Sequence, residues 1–257
     1  AVNVETDPNA EPRYRGLLYN FTDTGSEVQS GCTTTTSDYR EPDIVSNYDN
    51  DEQTYLNDIG LTQSSFQAEM QQAYNDMIKS VDLNHGFYVA RYEMSLDANK
   101  NAQSKKNVTS TDAAQTGTNR WYGLYDKAKN YALKTDTTKN VVSSMIWGSQ
   151  YDAMMNWMHK DSNVNVNSVE PVAGTSKNTT RITGGPNEGE SESKDILKNV
   201  YDLLGNSCEW TLEACYSDHR GSRGGIYNIS GSPARRSNYN PNVAIFLYGS
   251  RLTLYIK

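Results

Sequence analysis

The longest regular pattern of apolar and polar positions is LTQSSFQAEMQQAYNDMIKSV, residues 61–81, where Phe66, Met70, Ala73, Tyr74, Met77, Ile78 and Val81 recur at three- and four-residue spacing. This predicts an amphipathic helix with one face in a core, and Ser64 with Gln67 reads as its capping box. HGFYVARYEMS switches to period two, with Phe87, Val89 and Arg91 on one face and Tyr88, Ala90 and Tyr92 on the other, which suits a strand. Polar residues 95–118 predict loop. Helical spacing returns in NRWYGLYDKAKNYALK through Trp121, Leu124, Tyr125, Ala128 and Tyr131. A third helix is expected after SMIWGS, with Ser149 as cap, Asp152 in the first turn, and Tyr151, Met154, Met155 and Met158 in line.

The rest of the chain is less regular. Residues 1–60, rich in Asp, Asn, Thr and Pro, read as an irregular N-terminal arm or lead-in, and 61–257 as the domain. Residues 160–195 read as a surface excursion too polar for a core. KNVYDLLGNSCEWTLEAC restores order, with Gly205 and Asn206 marking a turn ahead of a strand that carries Trp210 and Leu212. Residues 226–248, IYNISGSPARRSNYNPNVAIFLY, follow neither period. Short strands and a few helices joined by long loops predict an α+β domain without internal repeats.

Composition narrows the function classes. A net charge of -7 and a pI near 5.0 argue against nucleic acid, whose phosphates need clustered Lys and Arg. No apolar stretch approaches the roughly 18–20 residues needed to cross a bilayer, so a soluble chain without membrane insertion is expected. The chain starts at Ala1 without a Met, which suggests a processed or trimmed product. Only 36% of residues are hydrophobic, so the plentiful Trp, Tyr and Met must carry much of the packing. Cys32, Cys208 and Cys215 form neither a disulfide framework nor a zinc pair and are expected as buried thiols, with a Cys208–Cys215 bridge as the alternative outside a cell. Asn20, Asn107, Asn178 and Asn228 head glycosylation triplets that matter only in a glycosylating host.

Familiar catalytic motifs are missing: there is no GxxxxGK[ST], GxSxG or HExxH. His85, His159 and His219 lie in separate elements, and Glu188, Glu190 and Glu192 read as a solvated acidic face. No catalytic residue is assigned. The tripeptides EPD (41–43) and NPN (240–242) resemble the calcium-and-sugar motifs of C-type lectins, without the flanking carboxylates such sites use.

Five segments in order carry a broader resemblance: GFYVARYEMS (86–95), SMIWGSQYDAMMNWM (144–158), YDLLGNSCEWT (201–211), RGG (223–225) and GSRLTLYI (249–256). The series resembles the formylglycine-generating-enzyme-like, or sulfatase-modifying-factor, domain. That resemblance implies a C-type-lectin-like fold of this type: a small antiparallel sheet with two or three helices and long loops. The oxidase members carry a copper-binding Cys pair just after RGG, where this chain has IYNISGSPARR. The three His ligands of the iron-dependent members have no counterparts either, so no enzyme is expected. A family calcium site would fall on Gly205, Ser207 and Glu209; a plain turn with Glu209 in a hydrogen-bond network is the competing expectation, and no other cofactor is expected.

Within this fold the chain looks like the variable proteins of diversity-generating retroelements, in which adenine-directed miscopying scatters a C-terminal run. Randomising the first two bases of AAC or AAT codons cannot yield Glu, Gln, Lys, Met or Trp. Those five types make up about one-fifth of residues 1–225, and residues 226–248 contain none. Chance gives such a run with probability on the order of 1%.

The resemblance implies a non-enzymatic protein whose hypervariable face binds a protein or glycan receptor on a cell surface, carried on a phage tail, in the virion, or on an extracellular or bacterial surface. The changeable, exposed positions expected are Ile226, Asn228, Ile229, Arg235, Ser237, Asn238, Tyr239, Asn240, Ala244, Ile245, Phe246, Leu247 and Tyr248. Packing of Ile245, Phe246 and Leu247 into the core is the alternative for those three. Trp210, Arg223, Gly224, Gly225, Gly249 and Arg251 are expected as scaffold anchors, with Pro233 and Pro241 stiffening the run. Two rivals stand beside this reading: a divergent oxidase of the formylglycine-generating superfamily, and a calcium-dependent sugar-binding module.

Overall fold

The computed structural model describes residues 39–42, 50–110, 120–135, 138, 140–159, 177–186, 190–215, 218–228, 232–243 and 247–257. Two pieces of the expected lead-in have regular structure: strand β1 (Tyr39–Arg40) and helix α1 (Asn50–Asp58), whose Leu56 is fully buried. Residues 1–38 and 43–49, Cys32 among them, lie outside the described residues.

Helix α2 (Gln63–Asn84) follows the periodicity and buries Phe66, Met70, Tyr74, Met77 and Val81. Its cap is Thr62, two residues before the expected Ser64: Ser65 N–H donates to Thr62 Oγ1 and Thr62 N–H to Ser65 Oγ. His85 ends the helix in the left-handed region at φ 58°.

The strand expected over 86–95 is split into β2 (Tyr88–Val89) and β3 (Met94–Leu96). The intervening Ala90 and Arg91 have scattered partners: both carbonyls accept from Arg251 Nη1 at 3.0 and 3.1 Å, Arg91 O also accepts from Tyr201 N–H, and Ala90 N–H donates to Leu252 O. The following segment is more ordered than the loop expected, because β4 (Ala102–Ser104) closes a hairpin with β3; 111–118 lie outside the described residues.

The second predicted helix is two, α3 (Trp121–Lys129) and α4 (Tyr131–Thr135). Ser143 breaks it: its hydroxyl donates to Lys129 O and accepts from Ala132 N–H, standing in for helical partners. Strand β5 (Val141–Met145) leads into helix α5 (Gly148–His159). Ser149 does not cap α5. Gln150 Oε1 instead accepts from Trp147 N–H, while Ser149 N–H points at the Glu41 carboxyl group.

The remaining strands are β6 (Ile196–Leu197), β7 (Val200–Tyr201), β8 (Cys208–Cys215), β9 (His219–Arg223), β10 (Arg236–Tyr239), β11 (Tyr248–Ser250) and β12 (Leu252–Ile256). The main sheet runs β1-β8-β9-β10, with β11 parallel to the first half of β8; a second sheet runs β2-β12-β5. The α+β class and small antiparallel sheets are as the motif series implies.

Aromatic residues fill the core between α1, α2 and α3. Phe66 meets Trp121, Tyr122 and Tyr125 edge-on, and Trp121 stacks on Tyr125 with centroids 5.4 Å apart. Burying each such side chain is worth about 1.5–3 kcal/mol. Arg220 closes the cluster, its guanidinium 4.3 Å from the Trp121 ring.

The excursion at 160–195 is not simply surface. Asn178, Thr183 and Asp195 are fully buried in a polar network in which Asp195 accepts from Asn178 and Leu204 N–H groups, and Asp202 from Asn178 Nδ2. Residues 160–176 and Glu188 lie outside the described residues. Cys208 is a free buried thiol, whereas Cys215 is disulfide-bonded, so three buried thiols and a Cys208–Cys215 bridge are both corrected.

Glu41 ties the β1 region to the start of α5. Burial first, then repulsion from Glu213, pushes its carboxyl group up to about 8, against the pull of the Ser149 hydrogen bonds. The folded chain therefore holds a proton that the unfolded chain releases at ordinary carboxyl values, and stability falls as pH rises from about 5 to about 8. Asp195, pushed up to about 7 by burial, adds a slope of the same sign. Glu41→Gln is expected to flatten this dependence in urea unfolding measured across that range. An unchanged slope would rule out Glu41 as a source.

Candidate functional site: the closing run and its frame

The closing run sits on an ionic frame. Asp152 of α5 is fully buried and takes hydrogen bonds from two arginines on adjacent strands, Arg223 of β9 and Arg236 of β10, the latter at 2.6 Å. Arg236 Nη2 also lies 3.3 Å from Glu213 of β8. Glu213 in turn crowds Gly148: a Cβ there would stand 2.6 Å from its Cδ and 2.9 Å from Glu41 Oε1. The helix start must be glycine for the carboxyl groups to reach it.

The two RGG glycines have distinct reasons. Gly224 adopts φ +77° and donates its N–H to Arg235 O at 3.1 Å, joining the two ends of the 225–235 excursion. Gly225 donates to Leu203 O at 3.1 Å, and a Cβ on it would overlap the Leu204 carbonyl.

After the run, Gly249 pairs with Glu209, and Arg251 is fully buried with its Nε 2.9 and 3.1 Å from the two Glu209 oxygens and its Nη2 2.7 Å from Tyr201 O. Trp210, Arg223, Gly224, Gly225, Gly249 and Arg251 are all buried.

The residues of the candidate calcium site are engaged in hydrogen bonds and close packing. Both Glu209 oxygens are given to Arg251, Ser207 Oγ lies 2.9 Å from Ser110 Oγ, and Gly205 is pressed against the Asn178 carbonyl. Among the described residues no His, Cys, Asp and Glu cluster could hold a metal ion. Of the three histidines, His85 is a helix cap, His219 meets Asp218 at 2.7 Å, and the His159 side chain lies outside the described residues.

Within the run, exposure is uneven. Asn228 is exposed, Tyr239 is 42% and Val243 40% exposed, and Asn238, Asn240 and Leu247 are half-buried. Ile226, Arg235, Ser237 and Tyr248 are buried, which corrects the exposure expected for them. Ile226 joins the Trp210 core, Ser237 pairs with Ser222 inside the sheet, and β11 holds Tyr248 against β8. Ile229, Ala244, Ile245 and Phe246 lie outside the described residues.

The outer surface is braced from below. Tyr239 contacts Tyr248 at 6.1 Å between centroids, and Tyr248 contacts Trp210 at 4.9 Å, a path of rings from surface to core. Burial raises the Tyr248 hydroxyl well above the usual tyrosine value. Asn240 Oδ1 accepts from Asn242 N–H at 2.8 Å, folding 240–243 into a turn. Arg120 Nε fastens that turn through Asn242 O at 2.7 Å while its guanidinium stacks on Tyr55 at 3.8 Å. Pro233 O accepts from Tyr151 Oη at 2.8 Å, and Pro241 is buried.

Sequence reasoning missed Asp152, Glu213, Glu41 and Arg120 as parts of this frame. The sole advance signal was the placement of Asp152 in a first helical turn, which says nothing of its distant arginines.

No family model and no curated protein matches the chain. Solved structures similar to it include variable protein 1 of Treponema denticola, at 14% identity over 62% of this chain and 74% of that one, with a TM-score of 0.34. CarF is similar at 13% identity over 72% and 83%, with a TM-score of 0.35. Likeness at this level says nothing about site residues.

Removing the Asp152 charge leaves two buried guanidinium groups without their shared partner. Asp152→Asn is expected to cost about 3–5 kcal/mol in urea unfolding. A loss below about 1 kcal/mol would show that the frame does not depend on it.

Proposed function

We propose that the chain is a non-enzymatic display protein: a C-type-lectin-like scaffold that presents residues 226–248 to a protein or glycan receptor and is diversified there by a retroelement. The observation that carries this reading is the absence of Glu, Gln, Lys, Met and Trp from a run flanked on both sides by buried charge pairs, Arg223 with Asp152 before it and Arg251 with Glu209 after it. Such a site must tolerate substitution, and it can do so only if neighbouring packing is independent of it. Asn228, Tyr239 and Val243 are exposed, and Tyr239 stands over Tyr248, which the scaffold holds through Trp210. An aromatic side chain among small amides also suits binding, since interface energy concentrates in a few large groups surrounded by adaptable polar ones.

A place on a phage tail or bacterial surface belongs to the same proposal. So does the rejection of the two rivals, each of which has its own readout: oxygen consumption with copper or iron for the oxidase, and loss of ligand binding in chelator for the calcium lectin.

The experiment is to sequence the locus across a population, together with any near-identical template copy beside a reverse transcriptase gene. Sibling copies are expected to differ almost only within codons 226–248, at adenine-derived positions. Differences spread evenly along the gene would end this reading.

A further inference from the structure

Arg235 stands apart from the other buried arginines. Arg223, Arg236 and Arg251 each have a carboxylate partner, and Arg220 lies over aromatic rings. Arg235 is only 8% exposed, yet its Nε and Nη1 are buried and meet no acceptor among the described residues, where it also forms no ion pair. An unpaired guanidinium in such a place costs several kcal/mol, so its surroundings ask for an acceptor.

Its position is fixed from both sides. Arg235 N–H donates to Ser232 O, and its carbonyl accepts from Gly224 N–H, each at 3.1 Å. It precedes β10, where side chains alternate: Arg236 turns in to Asp152, so Arg235, Ser237 and Tyr239 share the other face. Ser222 lies directly opposite Ser237, its hydroxyl buried beside the Cys208 thiol and the Tyr248 hydroxyl. Tyr248 borders the same place, its ring against Tyr239 and its hydroxyl, like the Cys208 thiol, within the reach of the Arg235 charge. One strand face thus leads from the buried cation out to the exposed Tyr239.

We infer that Arg235 and Ser222 form a subsite that receives a carboxylate of the bound partner beneath a rim of Tyr239 and Tyr248. The planar guanidinium fork matches a carboxylate in bidentate geometry, and a hydroxyl beside it supplies one more donor. The subsite rests on the reading of the run as a binding face. It also makes that face specific: another copy without arginine at 235 would lack the preference.

The test uses the full chain and simple carboxylates. Acetate, added against chloride at constant ionic strength, is expected to shift the Arg235 Nε–H resonance saturably, the signal being assigned by its loss in Arg235→Lys. Acetyl-glutamate amide and glucuronate serve as further arms. Tighter binding of the first identifies a peptide carboxylate, and of the second an acidic sugar; either supports the subsite.

Arg235→Met is expected to keep or raise the melting temperature and to remove the stabilisation by acetate. A fall of about 5 °C or more would make Arg235 a structural arginine and overturn the inference. So would the absence of a saturable shift, or equal shifts with phosphate and sulfate. Because the titration reads the subsite alone, its failure would leave the display reading to the locus sequences.

Discussion

One buried carboxylate holds the closing run in place. Asp152 projects from helix α5 into the gap where β9 and β10 meet and is shared by Arg223 and Arg236, the residues that bracket the excursion between those strands. Without that shared charge each arginine would be a desolvated cation, and the pairing of β10 with β9 would have to carry the segment alone. β10 pairs on one side only among the described residues, so the ionic clasp substitutes for the missing neighbour. A second clasp, Arg251 with Glu209, does the same at the far end and also ties down the carbonyls of Ala90, Arg91 and Tyr201.

This division of labour explains why a strand as polar as CEWTLEAC can be buried along its whole length. Glu209 faces Arg251 and Glu213 faces Arg236, so the two carboxylates that would otherwise oppose burial fasten the segments on either side of the run. Such pairs add little net stability compared with apolar packing, but breaking one is costly. They therefore act as fixed points. The apolar core, built on Trp121, Phe66, Trp210 and their neighbours, supplies cohesion and takes in Ile226 and Tyr248 from the run.

Much of this could be read from the sequence where the physics is local. Helix α2 followed its three- and four-residue spacing, and the Trp210 strand followed its turn. What could not be read was set by distant partners. The 86–95 strand broke where Arg251, some 160 positions away, and the Tyr201 N–H take its carbonyls. The helix expected over NRWYGLYDKAKNYALK broke because Ser143 takes its hydrogen bonds. At the site, the glycines and arginines of RGG and GSR were legible as anchors, whereas Arg235 and Arg236 are neighbours of one type with opposite roles: Arg236 is clasped by Asp152, while Arg235 Nε and Nη1 have no acceptor among the described residues. Only strand alternation separates them, and the run has no periodicity from which to predict it.

The central claim is that the outer side chains can change while the frame does not. The direct measurement is the melting temperature of a library randomised at 228, 239 and 243, the exposed positions of the run. The account predicts values clustered within about 3 °C of the parent, as for surface substitutions worth under about 0.5 kcal/mol each. A broad spread, with a large share of variants failing to fold, would contradict it by showing that these side chains belong to the scaffold.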